Sequence, residues 1–152
     1  LIRLGHADLI TKYELDSFSV NVLSVKRTLV EKMLGVIKDS YHEKPVERLS
    51  DRIRHLYDIC LILRHDEYKT FVQSTEFLPL CEMCIDDEKV GFLGNSDCFE
   101  NPLADAPLFF EFSNWQSSLE STYKTIFADL VFGEMPKMNE IADALNFLHE
   151  NI

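Results

Sequence analysis

Residues 47–64 read ERLSDRIRHLYDICLILR. Leu49, Ile53, Leu56, Cys60 and Leu63 recur at steps of four, three, four and three. That is the spacing of one face of an α-helix, not the alternation of a strand. The pattern predicts a helix over about 47–64 with a single buried stripe. With ~100° of rotation per residue, Asp51, Arg54, His55 and Asp58 gather on the opposite side. A polar row turned away from the core faces either water or another body.

Working upstream, residues 18–25 read FSVNVLSV, β-branched and partly alternating, and predict a strand. A lone strand is not stable, so it requires partners in residues 1–17 or in a neighbour outside the chain. Thr28-x-x-Glu31 has the form of a capping box, and Leu29, Met33, Leu34, Ile37 and Tyr41 follow at helical spacing. This helix is expected to end near Tyr41, with Pro45 closing the connection.

Downstream, residues 66–73 and 77–90 predict two more helices, and the Gly-, Asn- and Pro-bearing stretch 91–107 an irregular segment. A long helix is expected from Asn114 as cap, with Trp115, Leu119, Tyr123, Ile126 and Leu130 on its core face and Gly133 as its stop. After Pro136 a last helix carries Met138, Ile141, Leu145, Leu148 and Ile152 on one side. The predicted fold class is mainly α: a bundle of about six helices with one or two short N-terminal strands. No internal repeat or low-complexity tract interrupts it.

The chain has 152 residues, 46% of them hydrophobic, which suits one domain. Within it, residues 1–25 form a strand or extended lead-in and 26–152 the bundle. The first residue is Leu1, so the chain is expected to be the C-terminal lobe of something longer. No apolar run approaches the ~18 residues of a membrane span, and no segment has the form of a secretory signal.

The net charge of −11 disfavours nucleic acid for the chain taken whole. Residues 1–70, however, hold 12 basic and 11 acidic side chains, and residues 71–152 hold 3 and 15. Residues 26–54 alone hold 8 basic against 5 acidic, and an anionic ligand is expected to meet that segment unless these charges are simply solvated. Of the four cysteines, Cys81 and Cys84 form one CxxC pair with neither a second pair nor suitably spaced histidines, so no zinc site is predicted. Reduced thiols and a cytoplasmic location are expected.

Three constellations offer chemistry. Lys32 and Asp58 lie on consecutive helices whose short connection favours antiparallel packing; the lysine could neutralise a phosphate and the aspartate position it. The plainer alternative is an i,i+4 ion pair of Arg54 with Asp58. Arg48-x6-His55 is similar to the arginine–spacer–histidine element of small helical ribonucleases of the HEPN superfamily, with His as base and Arg on the phosphate. Asp86, Asp87 and Glu88 are consecutive acids that point in different directions on a helix, so solvated charge is expected there rather than a metal site. A Gly-rich phosphate loop, Gly-x-Ser-x-Gly and His-Glu-x-x-His are absent from the sequence, as is a Gly-Ser turn followed by spaced aspartates.

The run FSVNVLSVKRTLVEKML at 18–34 followed by RIRHLYDICLIL at 52–63 resembles the AbiEii/AbiGii-type nucleotidyltransferase toxin family. The features carrying the likeness are a strand, Arg27-Thr28 with Glu31-Lys32 on one helix, and Arg54-His55 with Tyr57-Asp58 on the next. An aromatic-rich helix closing in VFGEMP at 131–136 and a final amphipathic helix complete it, so that residues 18–152 are covered. The resemblance implies a bacterial or archaeal cytoplasmic toxin of a toxin–antitoxin or abortive-infection (phage-defence) pair. It would transfer a nucleotide from a nucleoside triphosphate, with Mg²⁺, to an RNA acceptor such as tRNA. The same resemblance makes Lys32 and Asp58 the catalytic pair, Arg27, Lys32 and Arg54 the nucleotide- or phosphate-binding residues, and Thr28, Glu31, His55 and Tyr57 their support. It also implies an N-terminal nucleotidyltransferase lobe with the metal-binding carboxylates. The sequence lacks that motif, so this chain alone is expected to be inactive and to hold no cofactor. The cognate antitoxin need not touch it. Two alternatives remain: a non-catalytic protein-interaction module, and the HEPN-like ribonuclease using Arg48 and His55.

Overall fold

A computed structural model describes residues 2–15, 19–90 and 97–152. Among these residues the chain is mainly helical, with eight α-helices. They are α1 (Ala7–Lys12), α2 (Val25–Ser40), α3 (Pro45–Asp51), α4 (Ile53–Leu63), α5 (Asp66–Val72), α6 (Phe77–Val90), α7 (Pro107–Thr122) and α8 (Met138–His149). No helix is long and apolar enough to cross a membrane.

Helix α2 is the hub, in contact with α3, α4, α6 and α7. Leu29, Val30, Met33, Val36 and Ile37 are all essentially inaccessible, so its buried surface wraps well beyond one stripe. The stripe predicted on 47–64 is real: Leu49, Ile53, Leu56, Cys60 and Leu63 are all buried. It runs over two helices rather than one, because Arg52 departs from helical geometry (φ −109°, ψ 24°) and separates α3 from α4. Helix α8 closes the other side of α4, burying Met138, Ile141, Leu145 and Leu148 as expected, with Ile152 half-buried.

Beyond the division of 47–64 into two helices, the sequence-based expectations need four corrections. The described part of the predicted strand, residues 19–24, is without regular structure, and residues 16–18 lie outside the described residues. The β-branched pattern is present, but a strand exists only by pairing, and no second strand is found among the described residues. Val20, Val22 and Leu23 are consequently exposed. The capping box is not the start of α2: Ser24 caps the helix, its Oγ accepting from the Arg27 N–H at 3.2 Å, and Thr28 and Glu31 lie inside the helix.

Helix α7 begins at Pro107 instead of Asn114, with proline in the first turn where its missing N–H costs nothing. Asn114 is mid-helix and donates to Glu111 Oε2 at 2.7 Å. Lastly, Leu130 is 79% exposed, not core, because a π-helical turn at Tyr123–Phe127 and a short 3₁₀ turn after it rotate the chain out of the α7 register. Leu119 and Tyr123 are buried and Trp115 half-buried; the side chain of Ile126 lies outside the described ones.

The stripe makes a direct stability prediction. Leu56→Ala, at a position with no exposure, is expected to cost about 2–5 kcal/mol. Val22→Ser, at an 84% exposed position, is expected to stay within about 0.5 kcal/mol. Urea denaturation of both variants checks the contrast. Equal losses would mean that residues 19–24 pack against the bundle in solution.

Candidate functional site

Helices α2 and α4 pack side by side although α3 lies between them in the chain, and Lys32 and Asp58 meet across them. Lys32 Nζ lies 2.7 Å from Asp58 Oδ2, with the lysine side chain 21% and the aspartate 34% exposed. Asp58 thus pairs across the helices and not with Arg54, its i,i+4 neighbour. The approach is an ion pair without the alignment of a hydrogen bond. With one acceptor beside it, the ammonium still has N–H donors for a second, anionic acceptor. In a half-buried pair of this kind the cost of desolvation offsets much of the attraction. Its position is therefore not explained by a large structural benefit.

His55 stands one turn N-terminal of that pair. It packs where α2 carries Gly35: a Cβ there would sit 3.3 Å from Arg52 Nη1 and 3.5 Å from His55 Nδ1. The glycine therefore lets the α4 side chains approach the α2 backbone. His55 Nδ1 is buried without a hydrogen-bond partner. Burial pushes the imidazole down to about 4, reinforced by Lys32, Arg52 and Arg54 and opposed by Asp58. It is a neutral ring at physiological pH, packed beside the pair.

Arg27 points the other way. It donates to Glu31 at 2.8 Å and to Asp87 of α6, and these partners hold its pKa above the ordinary guanidinium value. Lys38 reaches Glu88 of α6 in the same fashion. Two of the three consecutive acids are thus clasps between α6 and α2, while Asp86 lies within 4.0 Å of Lys89 on its own helix. Arg54 is exposed and makes no ion pair among the described residues. Tyr57 is half-buried, its ring edge-on to Phe127 at 5.2 Å. Thr28 is half-buried within the first turns of α2.

Asp39 is a site residue that no motif or spacing announces. It is 3% exposed, with Oδ2 3.1 Å from Arg52 Nε and Oδ1 3.6 Å from Arg48 Nε. Burial raises its pKa, with Arg52 and Arg48 acting against the rise. Its long-range role emerges only once α3 folds back, which no local spacing announces. Arg48 is thereby engaged with Asp39 on α3, while His55 sits on α4 against Gly35. The Arg48-x6-His55 element is split by the break at Arg52, and its two members have different partners.

The cysteines behave as small core residues. Cys60, Cys81 and Cys84 are buried free thiols, and burial pushes Cys60 up to about 11 and Cys81 up to about 12.

A family model described as "Nucleotidyl transferase AbiEii toxin, Type IV TA system" matches residues 5–146. The chain belongs to that family, and the match spans both α2 and α4. No curated protein and no solved structure matches the chain.

Nucleotidyltransferases typically work with a nucleoside triphosphate and Mg²⁺, and the residues here fit only the first. Lys32 is suited to phosphate oxygens. Mg²⁺ requires near-octahedral oxygen donors. The carboxylate at the pair is already engaged by an ammonium, and among the described residues no group of three or more His, Cys, Asp or Glu is arranged to hold a metal.

The buried imidazole makes stability depend on pH. The unfolded chain takes up a proton at position 55 near pH 6.5, and the folded chain resists it until about pH 4. The stability contributed there is complete above pH 6.5 and is lost as pH falls towards 4. Asp39, with its raised pKa, works with the opposite sign at acid pH, so the variant comparison is decisive. His55→Gln is expected to flatten the wild-type fall in denaturation midpoint between pH 6.5 and 4. An unchanged slope would show that the ring is freely protonated in the fold.

Proposed function

We propose that the face bearing Lys32 and Asp58 is one half of a nucleotidyl-transfer site, acting on a nucleoside triphosphate and an RNA acceptor, with tRNA the expected acceptor. One observation supports this above all: the two helices that carry the resemblance to the family bring Lys32 Nζ within 2.7 Å of Asp58 in a half-buried pair. In this proposal Lys32 neutralises phosphate oxygens of the triphosphate. Asp58 holds the ammonium in place before the ligand arrives, so that less ordering is needed on binding. His55, neutral and wedged against Gly35, supports the geometry without adding charge.

The carboxylates that would bind Mg²⁺ are proposed to come from a nucleotidyltransferase lobe outside these residues. The sequence has no Gly-Ser turn followed by spaced aspartates, and the carboxylate of Asp58 is engaged by Lys32. The isolated chain is then inactive. The expected setting is the cytoplasm of a bacterium or archaeon, with an antitoxin encoded alongside and a role in phage defence.

Two experiments test this. Induction of a full-length gene, encoding this chain together with the proposed nucleotidyltransferase lobe, is expected to arrest growth, and Lys32→Ala and Asp58→Ala at equal expression are each expected to relieve the arrest. Variants as toxic as wild type would remove the pair from the activity. Separately, the isolated chain is expected to incorporate no labelled nucleotide into total tRNA with Mg²⁺ present. Incorporation would show that the chain carries a complete site.

A further inference from the structure

We propose that the cleft between the start of α4 and the π-helical turn after α7 is a nucleotide subsite, taking an aromatic base on its apolar wall and a phosphate on Arg54. The proposal deepens the nucleotidyl-transfer function and rests on it. The cleft is open to solvent and has a volume of about 420 Å³, within the range of small-molecule sites. Ile53, Phe127 and Leu130 provide the apolar wall, and Arg54, Asp51 and Thr122 lie at its polar margin.

Charge decides what the cleft can take. Residues 26–54 contain eight basic side chains. Seven of them (Lys26, Arg27, Lys32, Lys38, Lys44, Arg48 and Arg52) have an acidic partner. Arg54 makes no such pair among the described residues, and it lies at the cleft. An uncommitted guanidinium beside an apolar wall fits an anion joined to a flat apolar body. Arginine matches the geometry of phosphate, and bases bind through their faces to aromatic and apolar side chains. Asp51 offers an acceptor for a base amino group, and Thr122 a hydroxyl that donates or accepts.

The backbone supports the same site. The π-helical turn at Tyr123–Phe127 changes the register of α7 as it ends. Phe127 then meets the ring of Tyr57 edge-on at 5.2 Å, and Leu130 remains exposed at the wall. Local π geometry of this kind recurs at functional sites. Arg54 is one helical turn from Asp58, so the subsite adjoins the Lys32–Asp58 pair.

Two sources share this ligand chemistry, the free triphosphate and the 3′ end of an RNA acceptor. Amide chemical shifts of the 152-residue chain would be followed on adding ATP, GTP, CTP or UTP, and on adding a short single-stranded oligoribonucleotide. Shifts are expected at 51–54 and 127–130 with one of these ligands, which identifies the source. Arg54→Ala is expected to weaken that binding about tenfold, the value of one charge-assisted contact. Leu130→Ser, on an exposed side chain that leaves the fold intact, is expected to weaken it measurably too.

Binding of neither ligand, or binding unaffected by both substitutions, overturns the subsite. Loss of binding in Lys32→Ala alone does the same while leaving the transfer function standing. Conversely, if binding depends on Arg54 and Leu130 while Lys32→Ala and Asp58→Ala leave toxicity intact, the subsite stands and the half-site role of the pair falls.

Discussion

Everything in this molecule is arranged around the burial of α2. A helix with one apolar stripe needs one neighbour. Helix α2 buries Leu29, Val30, Met33, Val36 and Ile37 almost completely and therefore needs several. Helices α4, α6, α3 and α7 fill that requirement. What remains of its surface is polar and is divided between two tasks. One side, through Arg27 and Lys38, is clasped to the acids of α6. The other presents Lys32 to α4, where Gly35 lets the side chains of Arg52 and His55 come close. The site residues are thus held on a helix that cannot move without opening the core. Such a scaffold suits a group that must meet a phosphate at a fixed position.

The uneven charge of the sequence acquires a physical meaning in the fold. Residues 26–54 carry excess positive charge, yet they do not present a basic patch. Glu76, Asp87 and Glu88 from the acidic half return to neutralise Lys26, Arg27 and Lys38, and Asp39 engages Arg48 and Arg52 from within. A chain of net charge −11 has no general affinity for nucleic acid. Any recognition of phosphate must then depend on a few placed cations. Lys32, restrained by Asp58 but with donors to spare, and Arg54, uncommitted among the described residues, are the two on the α2–α4 face.

The legible parts of the fold were those decided locally. The stripe from Leu49 to Leu63 survived even a break in the helix at Arg52, because periodicity reports which side faces the core, not whether the backbone is continuous. The π-helical turn was illegible, since nothing in YKTIF departs from an α pattern; the consequence was a misplaced Leu130. The strand at 18–25 was misread for a different reason: β-branching states a preference, and only a partner converts it into structure. Thr28 looked able to start α2, but Ser24 caps it one turn earlier. Burial of Leu29 and Val30 favours the earlier cap, which gives those residues a turn of helix to pack from.

The candidate site divides in the same way. Lys32 and Asp58 were recognisable through the family resemblance, since spacing alone left Arg54 as the plainer partner of Asp58, and the fold brings the two together. The supporting set was not. Asp39 reads as an ordinary helix-surface acid, Gly35 as a blemish in a helix, and Arg52 as one more solvated charge. Only the return of α3 and α4 against α2 makes them a unit, with a buried carboxylate, two arginines and a glycine that leaves room for a neutral imidazole. A buried acid drawing in two arginines is costly unless it fixes something. What it fixes is the junction of α3 and α4, and with it the rotation of α4 that sets Asp58 opposite Lys32. On this argument the polar cluster around Asp39 acts on the site only through geometry. Its loss would be felt first as a misplaced α4 and only then as a weakened grip on phosphate.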